Sequence, residues 1–293
     1  MTDPVPSGMK LHLDADFFRE AVTFTAAETA FLPRLVEKDY FASILLQYLS
    51  SSNTEIVFKG GTCLAKVHFE FYRMSEDLDF SIPTPTDSTL GQRRQAIARV
   101  KKVIEDINEK LDDMIVISPM TGANRSTQYS AAIGYQSLLS SEQESLKVEV
   151  GLREPLLTSC IEADAQTLLL NPVSRRLLIP GFKVKCLSLL EATAEKIRAA
   201  LTRRDVAIRD FFDIQYAVHH QRVNLDDSHL QRLIRDKLSM PDNASIDISE
   251  DRLRELRLQL DTQLRSVLRS RDYNEFDLEG AFKTVTSIAS KVS

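Results

Sequence analysis

The sequence predicts an α+β fold: a mixed-sheet core preceded by helices and followed by a helical bundle. Three observations predict it. Helical periodicity fills residues 14–50, short strand-like runs occupy the middle, and helical periodicity returns from Leu187 to the end. At 293 residues the chain is long enough for one large core or two modest ones. The order of elements places N-terminal helices and the sheet core in residues 1–182, with a helical domain in residues 183–293.

Each element has a local cause. Apolar residues recur at spacings of three and four from Ala15 to Phe31 and from Leu35 to Leu49, and Pro33 marks the break. Ile56, Val57 and Phe58 are strand formers. Gly60-Gly61 ends that run, and Thr62 is placed to cap a helix over roughly Cys63 to Tyr72. From Asp77 to Ile82 the pattern alternates, with Leu78, Phe80 and Ile82 on one face and Asp77, Asp79 and Ser81 on the other. Pro83 and Pro85 close the strand. An amphipathic helix over residues 92–112 carries Ile97, Val100, Ile104, Ile107 and Leu111 on its stripe. Strands are expected at 114–118, 128–135 and 146–152, and residues 165–180 read as irregular with short strand possibilities. Beyond them, Leu187, Leu190, Ile197 and Leu201 mark one helical stripe, and Leu253, Leu256, Leu260, Leu264 and Val267 mark a later one. Leu238 to Ser249, with Pro241, Asp242 and Asn243, reads as a loop.

Composition excludes several classes. Apolar residues make up 43% and charged residues 27%, the balance of an ordinary globular protein. No run of eighteen apolar residues exists, so no membrane span is expected. Met1 to Met9 shows no basic segment followed by an apolar one and does not read as a signal peptide. Cys63, Cys160 and Cys186 are odd in number and far apart, which fits reduced thiols in the cytoplasm. A net charge of −5 argues against a strongly basic nucleic-acid coat, although charge can gather on one face. The pairs Arg93-Arg94, Lys101-Lys102, Arg175-Arg176 and Arg203-Arg204 are each either a solvated face or part of a grip on an RNA backbone. The five histidines form no catalytic set, and His219-His220 ends a helix.

The segment that carries chemistry is Phe58-Lys59-Gly60-Gly61-Thr62 followed by Arg73-Met74-Ser75-Glu76-Asp77-Leu78-Asp79-Phe80. Two carboxylates two apart on a strand share a face, so both can reach the same one or two divalent ions. Magnesium takes hard oxygen ligands and keeps positions open for phosphate oxygens. A glycine turn opening a helix lets backbone N–H groups approach a phosphate closely. Such parts hold a triphosphate in line with an attacking hydroxyl, while metal activates the nucleophile and stabilises the leaving pyrophosphate. Glu149, in Leu146-Lys147-Val148-Glu149-Val150, is the candidate third ligand; its alternative is a solvated strand face paired with Lys147.

These motifs, with Glu37-Lys38-Asp39-Tyr40 before them and Glu195-Lys196-Ile197 and Arg209-Asp210-Phe211-Phe212-Asp213-Ile214 after, resemble the AbiEii/AbiGii family of nucleotidyltransferase toxins. The resemblance spans about residues 35–220, with a weaker echo at Phe276-Asp277-Leu278-Glu279. Glycine pairs and Asp-x-Asp pairs are each common; their order, with Arg-x-Ser-Glu between, is what is specific. The wider superfamily usually has Gly-Ser where Thr62 follows Gly61 here, and Thr keeps the hydroxyl. The family implies a polymerase-β-like core and the toxin half of a toxin–antitoxin or abortive-infection pair, with a cognate antitoxin as partner. Related MenT toxins imply nucleotide transfer from an NTP to the 3′ end of tRNA, which blocks translation. On that pattern two Mg²⁺ sit at Asp77, Asp79 and Glu149. Lys59, Gly60, Gly61, Thr62, Arg73 and Lys196 bind nucleotide, and Lys196 and Asp210 support catalysis.

Plainer roles stand beside these. Asp77 and Asp79 could be a charged strand edge. Lys59 and Lys66 could be solvated, Lys196 could pair with Glu191 or Glu195, and Arg209 with Asp213. Arg73 could clamp Glu76 or Asp77, and Lys38 could reach nucleotide or simply pair with Asp39. Two other functions share the motifs: a small-molecule nucleotidyltransferase of the antibiotic-modifying kind, and a non-catalytic nucleotide-binding component of a defence complex.

Overall fold

A computed structural model describes residues 7–220 and 223–292. The segment from Met1 to Pro6, on which the signal-peptide reading mostly rests, lies outside the described residues. The chain divides into two units. One comprises the residues up to Leu156 together with Cys160–Cys186; the other comprises Leu157–Ser159 and the residues from Leu187 onward.

The first unit opens with a 3₁₀ turn, Ser7–Leu13, then α1 (Ala15–Thr29) and α2 (Pro33–Ser51). Pro33 is the first residue of α2, where its missing N–H costs nothing. α2 is buried on almost every side, so the polar groups it carries inward need partners. Glu37 accepts from the Ser137 hydroxyl and the Leu138 N–H, each at 2.7 Å. Asp39 pairs at 2.7 Å with Lys66, which also donates to the Ser43 hydroxyl at 2.8 Å. Lys66 is 1% exposed, so the expectation of a solvated lysine is overturned, and so is the pairing of Lys38 with Asp39: Lys38 instead meets Glu76 at 2.7 Å.

Among the described residues seven strands form one mixed sheet: β1 (Val57–Lys59), β2 (Leu78–Ser81), β3 (Met114–Ala123), β4 (Gln128–Gln136), β5 (Gln143–Gly151), β6 (Ile161–Ala165) and β7 (Phe182–Cys186), in the order β3-β4-β5-β2-β1-β7-β6. β2 runs parallel to β5, and β1 parallel to β7; the remaining neighbours are antiparallel. β6 and β7 lie outside the expected strands, because five-residue strands with charged outward positions carry little pattern. α4 (Leu90–Glu105) starts with a capping box between Thr89 and Gln92, and α5 (Ile107–Lys110) follows after Asp106. Together they bury Ile97, Val100, Ile104 and Ile107 as the stripe predicts.

The helix expected over Cys63 to Tyr72 is shorter and begins earlier. α3 covers Gly60–Cys63, with Lys59 and not Thr62 as the cap residue, and passes into a π turn over Leu64–His68. Glu70 and Phe71 then adopt left-handed backbone, which ends the helix.

The second unit is helical: α6 (Leu189–Thr202), α7 (Ile208–His219), α8 (Ser228–Leu238), α9 (Glu250–Gln259), α10 (Ser270–Glu275) and α11 (Leu278–Val292). Its core centres on Ile197, Leu201, Ile208, Leu230, Ile234 and Leu256, each 0% exposed. Lys237, also fully buried, meets Glu191 at 2.8 Å and Glu195 at 3.3 Å. Glu191 also accepts from the Leu157 and Thr158 N–H groups, which ties Leu157–Ser159 to this unit. Among the described residues no helix is long and apolar enough to cross a membrane.

Candidate functional site

The acidic row is a product of strand alternation. In β2, Leu78 and Phe80 are 0% and 1% exposed, so Asp77 and Asp79 take the opposite face and are half-buried. In β5, Val148 and Val150 are packed and Glu149 faces the other way. A one-residue slip of β2 would expose Leu78 and Phe80. Each such side chain contributes about 1.5–3 kcal/mol by burial, so packing fixes the face on which the acids stand. Across the parallel pair, Asp79 lies opposite Glu149; across the antiparallel pair, it lies opposite Lys59. Residues opposed in this way share a face, so Lys59, Asp79 and Glu149 form one row over three neighbouring strands, with Asp77 two positions along.

The glycine turn closes against this row. Gly60 has φ +76°, and a Cβ there would sit 2.2 Å from Asp79 Oδ2. At Gly61 a Cβ would sit 2.4 Å from an Arg73 guanidinium nitrogen and 3.0 Å from the Ser75 hydroxyl. Gly60 therefore admits only glycine in this arrangement, because its backbone is left-handed and the Asp79 side chain occupies the space of the missing one, whereas a side chain at Gly61 would have to displace the Arg73 guanidinium. Thr62 is buried and donates its hydroxyl to the Asp77 carbonyl, fastening the turn to the start of β2. Arg73 is 2% exposed; it donates to the Met74 carbonyl at 2.9 Å and lies 5.5 Å from the Tyr72 ring centre. Glu76 takes Lys38 at 2.7 Å and Arg34 at 3.5 Å.

Glu149 accepts from Gln128 at 3.0 Å and pairs with Lys147 at 3.0 Å, so its local partner and its place beside Asp79 coexist. Lys147 is held above the usual lysine range, first by its hydrogen bond to Glu149, with Asp77 and Asp79 adding to the effect. That influence reports a concentration of negative charge along the row. The donor set is carboxylate oxygen throughout, which suits a hard divalent cation such as Mg²⁺. Gln128 carried no sequence signal, because its approach depends on the pairing of β4 with β5.

The other expected site residues form their own cluster in the helical unit. Lys196, on α6, lies 2.9 Å from Asp210 and 2.8 Å from Asp213, and Asp210 also takes Arg203 at 3.0 Å. The two carboxylates are one helical step apart on α7 and almost fully buried, so they share a face toward α6. Glu191 and Glu195, the partners that spacing offered Lys196, reach Lys237. This unit also has a cavity of about 300 Å³ whose lining includes Phe212, Tyr216, His220 and Arg269.

One grouping gives no sign in the sequence. Three scattered cysteines suggest no ligand spacing, yet Cys63, His68 and Cys186 converge, with one ligand atom from each within 4.8 Å of the others. The Cys186 thiol is drawn down to about 6, chiefly by its hydrogen bond with Cys63 and then by His68, against the effect of burial.

A family model described as "Nucleotidyl transferase AbiEii toxin, Type IV TA system" matches residues 43–285. The match takes in the glycine turn, the acidic row, the Lys196 cluster and Phe276–Glu279, and begins after Glu37–Tyr40. No curated protein matches by sequence. Among solved structures, MenT4, a nucleotidyltransferase toxin from Mycobacterium tuberculosis H37Rv, is 16% identical with a TM-score of 0.51, covering 87% of this chain and 93% of its own. JHP933 from Helicobacter pylori is 18% identical with a TM-score of 0.48, covering 87% and 92%. The likeness to MenT4 is one of fold.

Proposed function

This chain belongs to the nucleotidyl transferase AbiEii toxin family of type IV toxin–antitoxin systems, and we propose that it transfers a nucleotidyl group from an NTP to the 3′ end of tRNA, blocking translation until a cognate antitoxin intervenes. The observation that carries this reading is the row of Asp79 and Glu149 across parallel strands, with Asp77 two residues away and Gly60 held open by the Asp79 carboxylate.

The acceptor hydroxyl attacks the α-phosphorus, a new P–O bond forms, the bond to the bridging oxygen breaks, and pyrophosphate leaves with that electron pair. The acceptor proton passes to solvent. Asp77, Asp79 and Glu149 would hold two Mg²⁺, which when bound supply charge neutralisation at the phosphates and a more acidic acceptor hydroxyl. Gly60 and Gly61 present backbone N–H groups without side chains in the way. Lys59, at the end of the row, adds a positive charge for the phosphates. Thr62 keeps the turn and β2 at a fixed separation. Arg73 supports Gly61 from beneath. In the helical unit, Asp210 fixes the direction of the Lys196 ammonium.

The test is incubation of the chain with each labelled NTP and total RNA in Mg²⁺, beside Asp79→Ala. Label entering RNA of tRNA size with wild type and not with the variant supports the proposal. Label entering a metabolite, or equal labelling by a folded Asp79→Ala, overturns it.

A further inference from the structure

Behind the glycine turn lies a second set of ligands. Cys63 is the last residue of α3, His68 the last of the π turn and Cys186 the last of β7. Two features of the fold bring them together. Cys186 lies opposite Phe58 on parallel strands, so β7 ends beside the strand that feeds the turn. In an α-helix, positions five apart diverge by about 140°. The π turn, closed by the bond from Phe69 N–H to the Leu64 carbonyl at 2.8 Å, is wider and turns His68 back toward the Cys63 side. Cys63 and Cys186 are 0% exposed, and His68 is half-buried.

We propose that Cys63, His68 and Cys186 form a zinc site, separate from the carboxylate row, with its fourth position open to water or another small ligand. Two thiols and an imidazole are the wrong donors for Mg²⁺ or Ca²⁺, which take oxygen, and the right ones for Zn²⁺. A tetrahedral ion with bonds of about 2.0–2.3 Å sets its ligands roughly 3.5 Å apart. The present separations, all within 4.8 Å, need only a small inward rotation of the side chains. Binding exchanges the thiol protons for the metal and releases up to two of them. The ion would staple α3 and the π turn to β7. The residue next to Cys63 is Thr62, which holds the Asp77 carbonyl, so occupancy would stiffen the glycine turn from behind.

The test is titration of the reduced full-length chain with Co²⁺. One equivalent is expected to give a thiolate-to-cobalt charge-transfer band that Zn²⁺ removes. Cys63→Ser and Cys186→Ser should each abolish the band, and His68→Gln should weaken binding at least tenfold. Cys160→Ser and the pair Asp77→Asn/Asp79→Asn should keep it, which separates this site from the magnesium reading. If a serine variant fails to fold, the wild type still decides: Zn²⁺ should slow alkylation of Cys63 and Cys186 and leave Cys160 unprotected. Absence of the band in reduced wild type overturns the proposal. So does its survival in a folded Cys186→Ser, or a Cys63–Cys186 disulfide forming in air despite stoichiometric Zn²⁺.

Discussion

Asp79 and Glu149 stand opposite one another on neighbouring parallel strands, each turned away from a packed face. If both serve one metal centre, their contributions are shared. Asp79→Asn is expected to lower nucleotide transfer by about 10²–10³-fold, the scale of losing one group that stabilises developing charge. Glu149→Gln should show a loss of similar kind. The double variant should be little worse than the poorer single, because groups acting as a unit are not additive. Single-turnover label incorporation, with circular dichroism to confirm folding, measures all three. Losses that multiply would show that the two acids act separately.

Gly60→Ala joins two penalties. Alanine at φ +76° costs about 1–2 kcal/mol, and its methyl would displace the Asp79 carboxylate. Transfer should fall along with stability. In an Asp79→Ala background the carboxyl group is gone and only the contact with the residue 79 Cβ, 2.8 Å away, remains, so the stability cost of Gly60→Ala should shrink without falling to the backbone term alone. Urea denaturation of the four proteins in this cycle reads the difference. An unchanged cost in both backgrounds would mean that Asp79 is not what keeps the position glycine.

The parts legible in the sequence are those set by local pattern. Pro33 divides two helices, the alternation from Asp77 to Ile82 gives β2 and its acidic face, and Gly60-Gly61 marks a turn. What was not legible depends on pairing between distant segments. The sequence offers Glu149 two places, as a third ligand or as the neighbour of Lys147, and only the parallel register of β2 and β5 shows that it stands beside Asp79 while keeping Lys147. Lys66 looked solvated because lysines usually are, but Asp39, on another helix, allows it to be buried. Cys63 and His68 sit at a spacing that an ordinary helix would separate, and only the π turn brings them near Cys186.

The Asp39–Lys66 pair is 5% and 1% exposed, where each charge depends on the other. Lys66→Met should destabilise by about 3–5 kcal/mol, because it strands a buried carboxyl that burial already pushes toward its protonated form. Asp39→Leu with Lys66→Met should recover most of that loss, since an apolar pair of similar volume needs no partner charge. Denaturant midpoints decide. A double variant as unstable as the single would assign the cost to packing instead of charge.

His12 predicts how the sheet unit responds to acid. Its ring is 8% exposed, with one nitrogen 2.7 Å from the Tyr40 hydroxyl and the other 3.2 Å from Asp113. Burial holds its pKa below the ordinary 6.5, and Asp113 offsets this only in part. Above about 6.5 neither the folded nor the unfolded chain carries the proton, so the full stability is present. As pH falls below that value, the unfolded chain takes up a proton that the folded chain resists, and stability declines until the lower folded pKa is reached. His12→Gln keeps a polar partner for Tyr40 and removes the titration. The stability difference between wild type and this variant should therefore shift against wild type from pH 7.5 to 5.5, read as urea midpoints at each pH. A shift in favour of wild type on acidification would mean that Asp113 outweighs burial and that the folded ring holds its proton more tightly than the unfolded one.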